Sequence, residues 1–471
     1  MAKAHIADII KTGISNLPNW INIPLLRLNP LHESIYGPGY RKFKQSLPTI
    51  NPEQRLIEMV NYAIANVPYY RERYKGLVIK DIEQFKREFA FIDKKEVNAH
   101  WDDFIADGVD LGKTVLKTTS GTSSKPLRMI IPANRYITEM VFTTGIWRRC
   151  GWNFDVRATI RGIEIPKGKI YKVNPVTREF IFDSTRLNQE YTTQIYHVMR
   201  RHHINTIYSY ARVALAFMQM CRDQGLDTSF IKYALLTSEP VTDAAYAFLT
   251  KGCGLSVSFT YGHTEKLIYA GNDGGQEYKV EEQYGYTELI DENGNDITTP
   301  GGYGELVGST LYNKYFPLIR YRTDDYAELS RIAPTNHGYC QRWLGRIDGR
   351  HAYNIIIKHD GSRITETAIL LDHGVCCRID GLQYTQTKAG YVTVDIIPGK
   401  DFSDKDAEYM RRETAHVMDG EQYVKVNIVD HLTLMPNGKF TPVLNYILNP
   451  ALSHDNAKEQ DPSSILISQR P

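Results

Sequence analysis

The chain has 471 residues, of which 42% are hydrophobic and 23% charged. That is too long for one compact core, so a large domain with a smaller companion is expected and disorder is not. With 56 basic and 54 acidic residues the formal charge is +2, which supplies no overall field to draw in nucleic acid or an anionic membrane, so any anion must be held locally. The six cysteines include no CxxC pair of zinc-ligand spacing. Cys376 and Cys377 are adjacent and cannot readily bond to each other, and reduced thiols in a cytoplasmic protein are the expectation.

The first thirty residues are partly apolar but are interrupted by Asp8 and Lys11. They lack a continuous apolar run or a small-residue cleavage site, so no signal peptide is expected. No uninterrupted apolar window of about 18 residues predicts a transmembrane span. In "NPEQRLIEMVNYAIANVPYYRERY", Leu56, Val60, Ala63 and Val67 recur at helical spacing between Pro52 and Pro68, which predicts a packing helix. From about 130 to 300, strand-like runs such as "RATIRGIEI" and "INTIYSY" alternate with helical ones such as "RVALAFMQMCRDQG", the pattern of an α/β arrangement with helix-covered sheets. Near 284–330 short strands and the turn pairs Asn293-Gly294 and Gly301-Gly302 take over, predicting a β-rich subdomain. Beyond "WLGRIDGRH" the signals "NIIIKH", "ITETAILLDH", "GYVTVDIIP", "DAEYMRRETAHVM" and "YVKVNIVD" predict a small α+β domain. The expected division is 1–346, 347–450, and a polar tail over 451–471.

The stretch "KTTSGTSSKPLRM" surrounds Lys125 with threonines, serines and one glycine. Small hydroxylated residues let backbone approach a ligand closely, their N–H and O–H groups donate, and one lysine adds a point charge, which together describe a polyphosphate cradle. A solvated Ser/Thr loop has the same composition. The spacing is not that of a GxxxxGK[ST] loop, because Lys125 is followed by Pro126.

Six segments in order carry a resemblance. "TTSGTSSKP" resembles the phosphate loop of the adenylate-forming enzymes, the superfamily of acyl-CoA synthetases, peptide-synthetase adenylation domains and luciferases. "TSEPV" from Thr237 resembles that family's adenine-side loop, "YGHTEK" from Tyr261 its Tyr-Gly-x-Thr-Glu segment, and "YRTDDYA" from Tyr321 its ribose-binding aspartate motif. "LGRIDGR" from Leu344 resembles its hinge and "PNGKF" from Pro436 its C-terminal lysine motif. "NVPYYRERY" and "FPLIRYRTDD" point to the branch of phenylacetate-CoA ligase and its relatives in capsular-polysaccharide clusters. The implied fold is a large α/β domain with a β-rich subdomain and a small mobile α+β C-terminal domain.

The resemblance implies ATP-dependent adenylation of a carboxylic acid, giving acyl-AMP and pyrophosphate, then transfer of the acyl group to CoA or an amine. A carboxylate approaching a triphosphate meets like charge, so cations and Mg²⁺ are required. Thr118, Thr119, Ser120, Gly121, Thr122 and Lys125 would hold the β- and γ-phosphates, and Glu265 would bind Mg²⁺. Ser238, Glu239 and Pro240 would face adenine opposite Tyr261, within the segment Tyr261, Gly262, His263, Thr264 and Glu265. Asp325 would accept the ribose hydroxyls, with Arg346 as a donor beside them. Lys439 would bridge the acid and the α-phosphate as charge builds, and Asp348 would be the hinge that moves it in and out.

The chain departs from the family at Ser123-Ser124, where Thr-Gly is frequent, at Asp324, where glycine is frequent, and at Gly349, where an aspartate is frequent. It also has Tyr208-Ser209-Tyr210 where aryl-acid members tend to have Tyr-Pro-Ser, which leaves the acid open. Tyr136, Phe142, Trp147, Tyr208, Tyr210, Ser238 and His263 are pocket candidates; Arg161, Arg212 and His263 suit a hydroxylated or acidic substrate such as a sugar acid. Three readings compete: a carboxylate ligase of the phenylacetate type or in surface-polysaccharide synthesis, a phosphotransferase releasing ADP, and a non-catalytic nucleotide-binding scaffold. No nucleic acid is among the expected partners, and no transmembrane segment is expected.

Overall fold

The computed structural model describes residues 17–28, 36–118, 127–163, 165–166, 168–238, 241–348, 355–361, 363–365, 369, 375, 378–399, 401–418, 420–433 and 441–448. Within these, the side chains of Thr118, Thr185, Arg212, Arg346, Asp348, Arg363, Thr365 and Glu421 are not described. The chain divides into two compact units, Met1–Lys117 with Met129–Asp348, and Thr118–Arg128 with Gly349–Pro471.

In the large unit the helix foreseen behind Pro52 is α1, Pro52–Asn66, capped by Asn51, whose side chain accepts from the N–H groups of Glu53 and Gln54. Leu56, Val60 and Ala63 are fully buried along one face, and Val67 is buried just past its end. β1, Thr114–Thr118, and β2, Arg128–Pro132, form a two-stranded ribbon. The helix α2, Arg135–Arg149, follows.

The main sheet then takes β3 (Arg157–Arg161), β4 (Lys172–Asn174), β5 (Glu179–Asp183), β6 (Thr206–Ser209), β7 (Tyr233–Leu236) and β8 (Ser256–Gly262). The longer crossover helices between them are α3 (Gln189–His202) and α4 (Ala211–Asp223), and a shorter helical segment, Asp243–Ala247 continued by Phe248–Gly252, joins β7 to β8. β5, β3, β6, β7 and β8 lie in that order and are parallel. Their cores are the near-continuous apolar runs that two covered faces demand, with Ala158, Ile160, Ile207, Ala234, Leu235 and Leu236 at 0% exposure.

From β8 onward the pairing turns antiparallel. β9 (Tyr269–Asn272), β10 (Tyr278–Val280), β14 (Cys340–Asp348), β13 (Tyr321–Pro334), β12 (Tyr303–Thr310) and β11 (Gly285–Ile290) continue the same sheet in that order. Strand β8 is therefore the seam between the parallel and antiparallel halves, pairing parallel with β7 and antiparallel with β9. The turn pairs expected from sequence are present, with Gly294 at φ 83° and Gly301 at φ 85°.

The small unit has a hairpin, β15 (Ile355–Ile357) with β16 (Arg363–Thr365), and a four-stranded sheet. That sheet is ordered β19 (Val424–Ile428), β18 (Val392–Pro398), β17 (Ile379–Gln386) and β20 (Val443–Asn445). Helix α5, Asp404–Val417, starts at a capping box built by Ser403 and Asp406 and contributes Met410 and Ala415 to a core with Val394, Ile396 and Met418. Strand β17 was not foreseen from sequence. Most of "ITETAILLDH" lies outside the described residues.

Candidate active site

The parallel strands end together at one edge, the place where open α/β sheets bind ligands. Past β7 the chain enters "TSEPV": the Thr237 N–H donates to the Ser209 carbonyl at 3.1 Å, and Thr260 on β8 donates its hydroxyl to Thr237 Oγ1 at 3.3 Å. Ser238 follows, exposed, with φ 64°. A left-handed serine costs of order 1 kcal/mol and persists where its surroundings over-determine it.

The β8 segment "YGHTEK" is packed as tightly as its glycine implies. A Cβ on Gly262 would meet the Tyr269 ring at 2.7 Å, Tyr269 being its cross-strand partner on β9. His263 then fastens the turn with both ring nitrogens. Its Nε2 accepts the Ile268 N–H at 3.2 Å, so the ring carries its proton on Nδ1 and donates it to Glu265 Oε2 at 3.0 Å. Glu265 is 7% exposed, and its other oxygen faces the Tyr321 hydroxyl at 3.5 Å. Thr264 is half-buried between them. Lys266 closes the turn at φ 60°, its amine paired with Glu139 at 2.7 Å.

The aspartate motif arrives from the far side of the sheet. In a flat sheet β13 would stand about 19 Å from β8, four strand spacings away. Yet the Tyr261 hydroxyl donates to Asp325 Oδ2 at 2.7 Å, so the antiparallel half curls back over the seam. A bulge frees Asp325 from the ladder. Tyr326 pairs with Glu305 and Arg322 with Val307, so Thr323, Asp324 and Asp325 together oppose Leu306 alone. Thr323 substitutes for the missing ladder bonds: its hydroxyl donates to the Leu306 carbonyl at 2.7 Å and accepts the Asp325 N–H at 3.1 Å. Asp324 takes φ 59°, and its N–H donates to Glu305 Oε1 at 3.1 Å. This is the position where relatives favour glycine, and the backbone gives the reason.

Ser238, Tyr261, Gly262, His263, Thr264, Glu265 and Asp325 are thus gathered on the edge of one unit. Thr118 ends β1, and Arg346 and Asp348 lie in β14, Asp348 pairing with Tyr326 through its backbone. Thr119, Ser120, Gly121, Thr122, Lys125, Glu239, Pro240 and Lys439 lie outside the described residues. Among the pocket candidates, Phe142 and Trp147 are 3% exposed members of two core clusters. Sequence reasoning assigned no role to Tyr321, Thr323 or Glu305, although the first two stand inside the aspartate motif.

Among the described residues no three His, Cys, Asp or Glu side chains converge to hold a metal ion. The buried Glu265 carboxylate offers a hard oxygen ligand, which fits a Mg²⁺ ion that takes its remaining ligands from phosphates and water. No helix among the described residues is long and apolar enough to cross a membrane.

No family model matches the chain. It is 30% identical over 135 residues to a phenylacetate-coenzyme A ligase of Aromatoleum evansii, a stretch covering 27% of this chain and 29% of that protein. It is 29% identical over 144 residues to the corresponding ligase of Pseudomonas putida, covering 29% of this chain and 31% of that one. The matched stretches thus span under a third of either relative. Solved structures of a 2-hydroxyisobutyryl-CoA ligase align over far more of the chain. One, in complex with 2-HIB-AMP and CoA, has a TM-score of 0.53 at 16% identity, covering 83% of this chain and 88% of that one. Another, in the postadenylation state, has a TM-score of 0.51 at 14% identity, covering 85% and 90%. The fold is the one seen in the 2-hydroxyisobutyryl-CoA ligase structures, and over the matched stretch the chain is similar to the phenylacetate-coenzyme A ligases.

Proposed function

We propose that the protein is an AMP-forming carboxylate ligase. The observation that carries the reading is the Tyr261 to Asp325 hydrogen bond of 2.7 Å, which joins two motifs 64 residues apart beside the Glu265 turn. In this reading a carboxylate oxygen attacks the α-phosphorus of ATP, the bond to the bridging oxygen breaks, and pyrophosphate leaves. A thiol then attacks the acyl carbon, AMP departs with the carboxylate oxygen, and the thiol proton passes to solvent. Coenzyme A is the acceptor we favour, because both sequence relatives carry it in their names.

Asp325 would accept hydrogen bonds from the ribose hydroxyls, held for that task by Tyr261 and by the bulge. Glu265 would hold Mg²⁺, which would supply positive charge against the phosphates. Lys125 and Thr118 to Thr122 would bind the phosphates, Arg346 the ribose, and Lys439 the charge that grows between acid and α-phosphate. Asp348 would act as hinge. The finer reading, an amine acceptor on a surface-polysaccharide sugar acid, rests on the branch resemblance in "NVPYYRERY" and "FPLIRYRTDD".

Carboxylate-dependent exchange of labelled pyrophosphate into ATP tests this over aryl, aliphatic and sugar acids. Exchange with one class, lost in Lys439→Ala, is expected. Release of ADP without pyrophosphate would show a phosphotransferase instead, and ATP binding without exchange for any acid would favour the scaffold.

A further inference from the structure

Two arginines stand on one face of β3, Arg157 at its start and Arg161 at its end. They are provided for differently. Arg157 is 3% exposed, forms an ion pair with Glu179, and lies 4.9 Å over the Trp147 ring. Its charge is answered. Arg161 is half-buried, and among the described residues no carboxylate reaches ion-pair distance from it. Asp183 is its register partner on β5, yet forms no ion pair with it.

What holds Arg161 is aromatic. Its guanidinium lies 5.3 Å from the Tyr208 ring and 5.0 Å from the Tyr210 ring, and Nη1 donates to the Tyr208 hydroxyl at 3.2 Å. Burial pushes the Tyr208 phenol above its ordinary range, against the pull of Arg161 and Arg157, so the phenol stays neutral and leaves the arginine charge in place. Two tyrosine faces orient a guanidinium without neutralising it. A partly buried cation so arranged is poised for an anion from outside the chain.

Its position fits the acid. Ile160 pairs with Ser209, Ser209 with Leu236, and Leu236 with Phe259, so the next row across the sheet is Arg161, Tyr210, Thr237 and Thr260 on one face. Thr237 opens the "TSEPV" segment and Thr260 precedes Tyr261. Arg161 is therefore two strand spacings from the first and three from the second, about 10 and 14 Å at the backbone. That span matches an acid of several carbons with its reacting carboxylate near the nucleotide segments and its far end at Arg161.

We propose that Arg161, oriented by Tyr208 and Tyr210, binds a second carboxylate at the far end of the acid substrate, so that the substrate class is a diacid. The inference rests on the ligase reading for which carboxylate reacts, but not for whether the site prefers diacids. The test is calorimetric titration of the full chain, with AMP present, using adipate against hexanoate and 4-carboxyphenylacetate against phenylacetate. The diacid of each pair is expected to bind about 10- to 100-fold tighter, the worth of a charge-assisted hydrogen-bonded pair. Arg161→Gln should bring that ratio to about 1 while leaving monoacid binding within about twofold. Arg161→Lys, which keeps the charge and loses the fork, should retain part of the ratio and carries the test if the glutamine variant does not fold. Equal binding within both pairs, an unchanged ratio in Arg161→Gln, or no binding of either diacid would overturn the proposal. A diacid preference without pyrophosphate exchange would leave it standing and overturn the ligase reading alone.

Discussion

Asp324 is the hinge of the bulge that presents Asp325, and its left-handed backbone makes a quantitative prediction. At φ 59° a residue with a Cβ carries about 1 kcal/mol of strain, which glycine escapes. Glycine in turn gives up roughly 0.5–1 kcal/mol to unfolded-chain entropy, so Asp324→Gly should leave stability within about 0.5 kcal/mol of the parent. Alanine has the strain and lacks the short polar side chain that eases aspartate into this region, so Asp324→Ala should fall about 1 kcal/mol below the glycine variant. Valine should fall further. All three retain the N–H that donates to Glu305 Oε1 at 3.1 Å. Glu305 is itself fixed by Arg322, whose Nε and Nη2 reach its other oxygen at 2.8 and 2.5 Å, so the bend is anchored from both sides. Urea unfolding followed by circular dichroism reads the order, and ATP titration reads its consequence: the glycine variant should keep the parent's affinity while the valine variant loses it along with stability. Equal midpoints for the glycine, alanine and valine variants would refute the left-handed bend as the device that aims Asp325.

In the small unit Gln383 is fully buried on β17; its amide donates to the carbonyls of Thr433 and Thr441 at 2.9 and 2.8 Å, and its oxygen accepts the Thr433 N–H at 3.0 Å. Gln383→Met should cost about 3 kcal/mol by thermal or urea unfolding, roughly one per lost bond; if Lys439, which falls between these threonines in the sequence, has the adenylation role proposed for it, the variant should also slow pyrophosphate exchange more than thioester formation from preformed acyl-AMP, and a loss below about 1 kcal/mol would refute the clamp. Burial raises Glu282 from its ordinary 4.5 to about 7, against the pull of Arg342, which Asp296 shares at 3.3 Å. The folded chain therefore binds the extra proton, and this group's contribution is fully present below pH 4.5 and lost as pH rises through 7. Glu282→Gln should gain on the parent by up to about 3 kcal/mol across that window, and a pH-independent difference between the two unfolding curves would refute the shift.

Much of the large unit was legible because its residues obey a period. Leu56, Val60 and Ala63 mark a helix face, and the apolar cores of β3 and β6 mark strands covered on both sides. Strand β17 escaped because its buried face is partly amide. Gln383 and Gln386 are both 0% exposed, and Gln386 exchanges hydrogen bonds with both backbone groups of Ile357 at 2.7 and 2.8 Å. A pattern reading that sorts residues into apolar and polar assigns such glutamines to solvent, although each is buried because it replaces backbone partners that no strand supplies.

The site divides along a similar line. Tyr261, Glu265 and Asp325 could be singled out by type, because a nucleotide site of the proposed kind restricts which residues can serve, and the structure gathers them on one edge. Thr323 and Glu305 could not be, because their work is to satisfy backbone groups exposed by the bulge, and many hydrogen-bonding residues could do that. The bulge is a property of register between β12 and β13, which no local window contains. His263 shows the same limit from the other side: a histidine suited by type to receive a substrate has both ring nitrogens engaged in its own turn. Arg161 differs from it in the decisive respect. Its orientation comes from tyrosine rings, which hold a guanidinium in place and leave its charge available to a ligand. Residue type selects the candidates at such an edge, and the partners already engaged decide which of them can still bind.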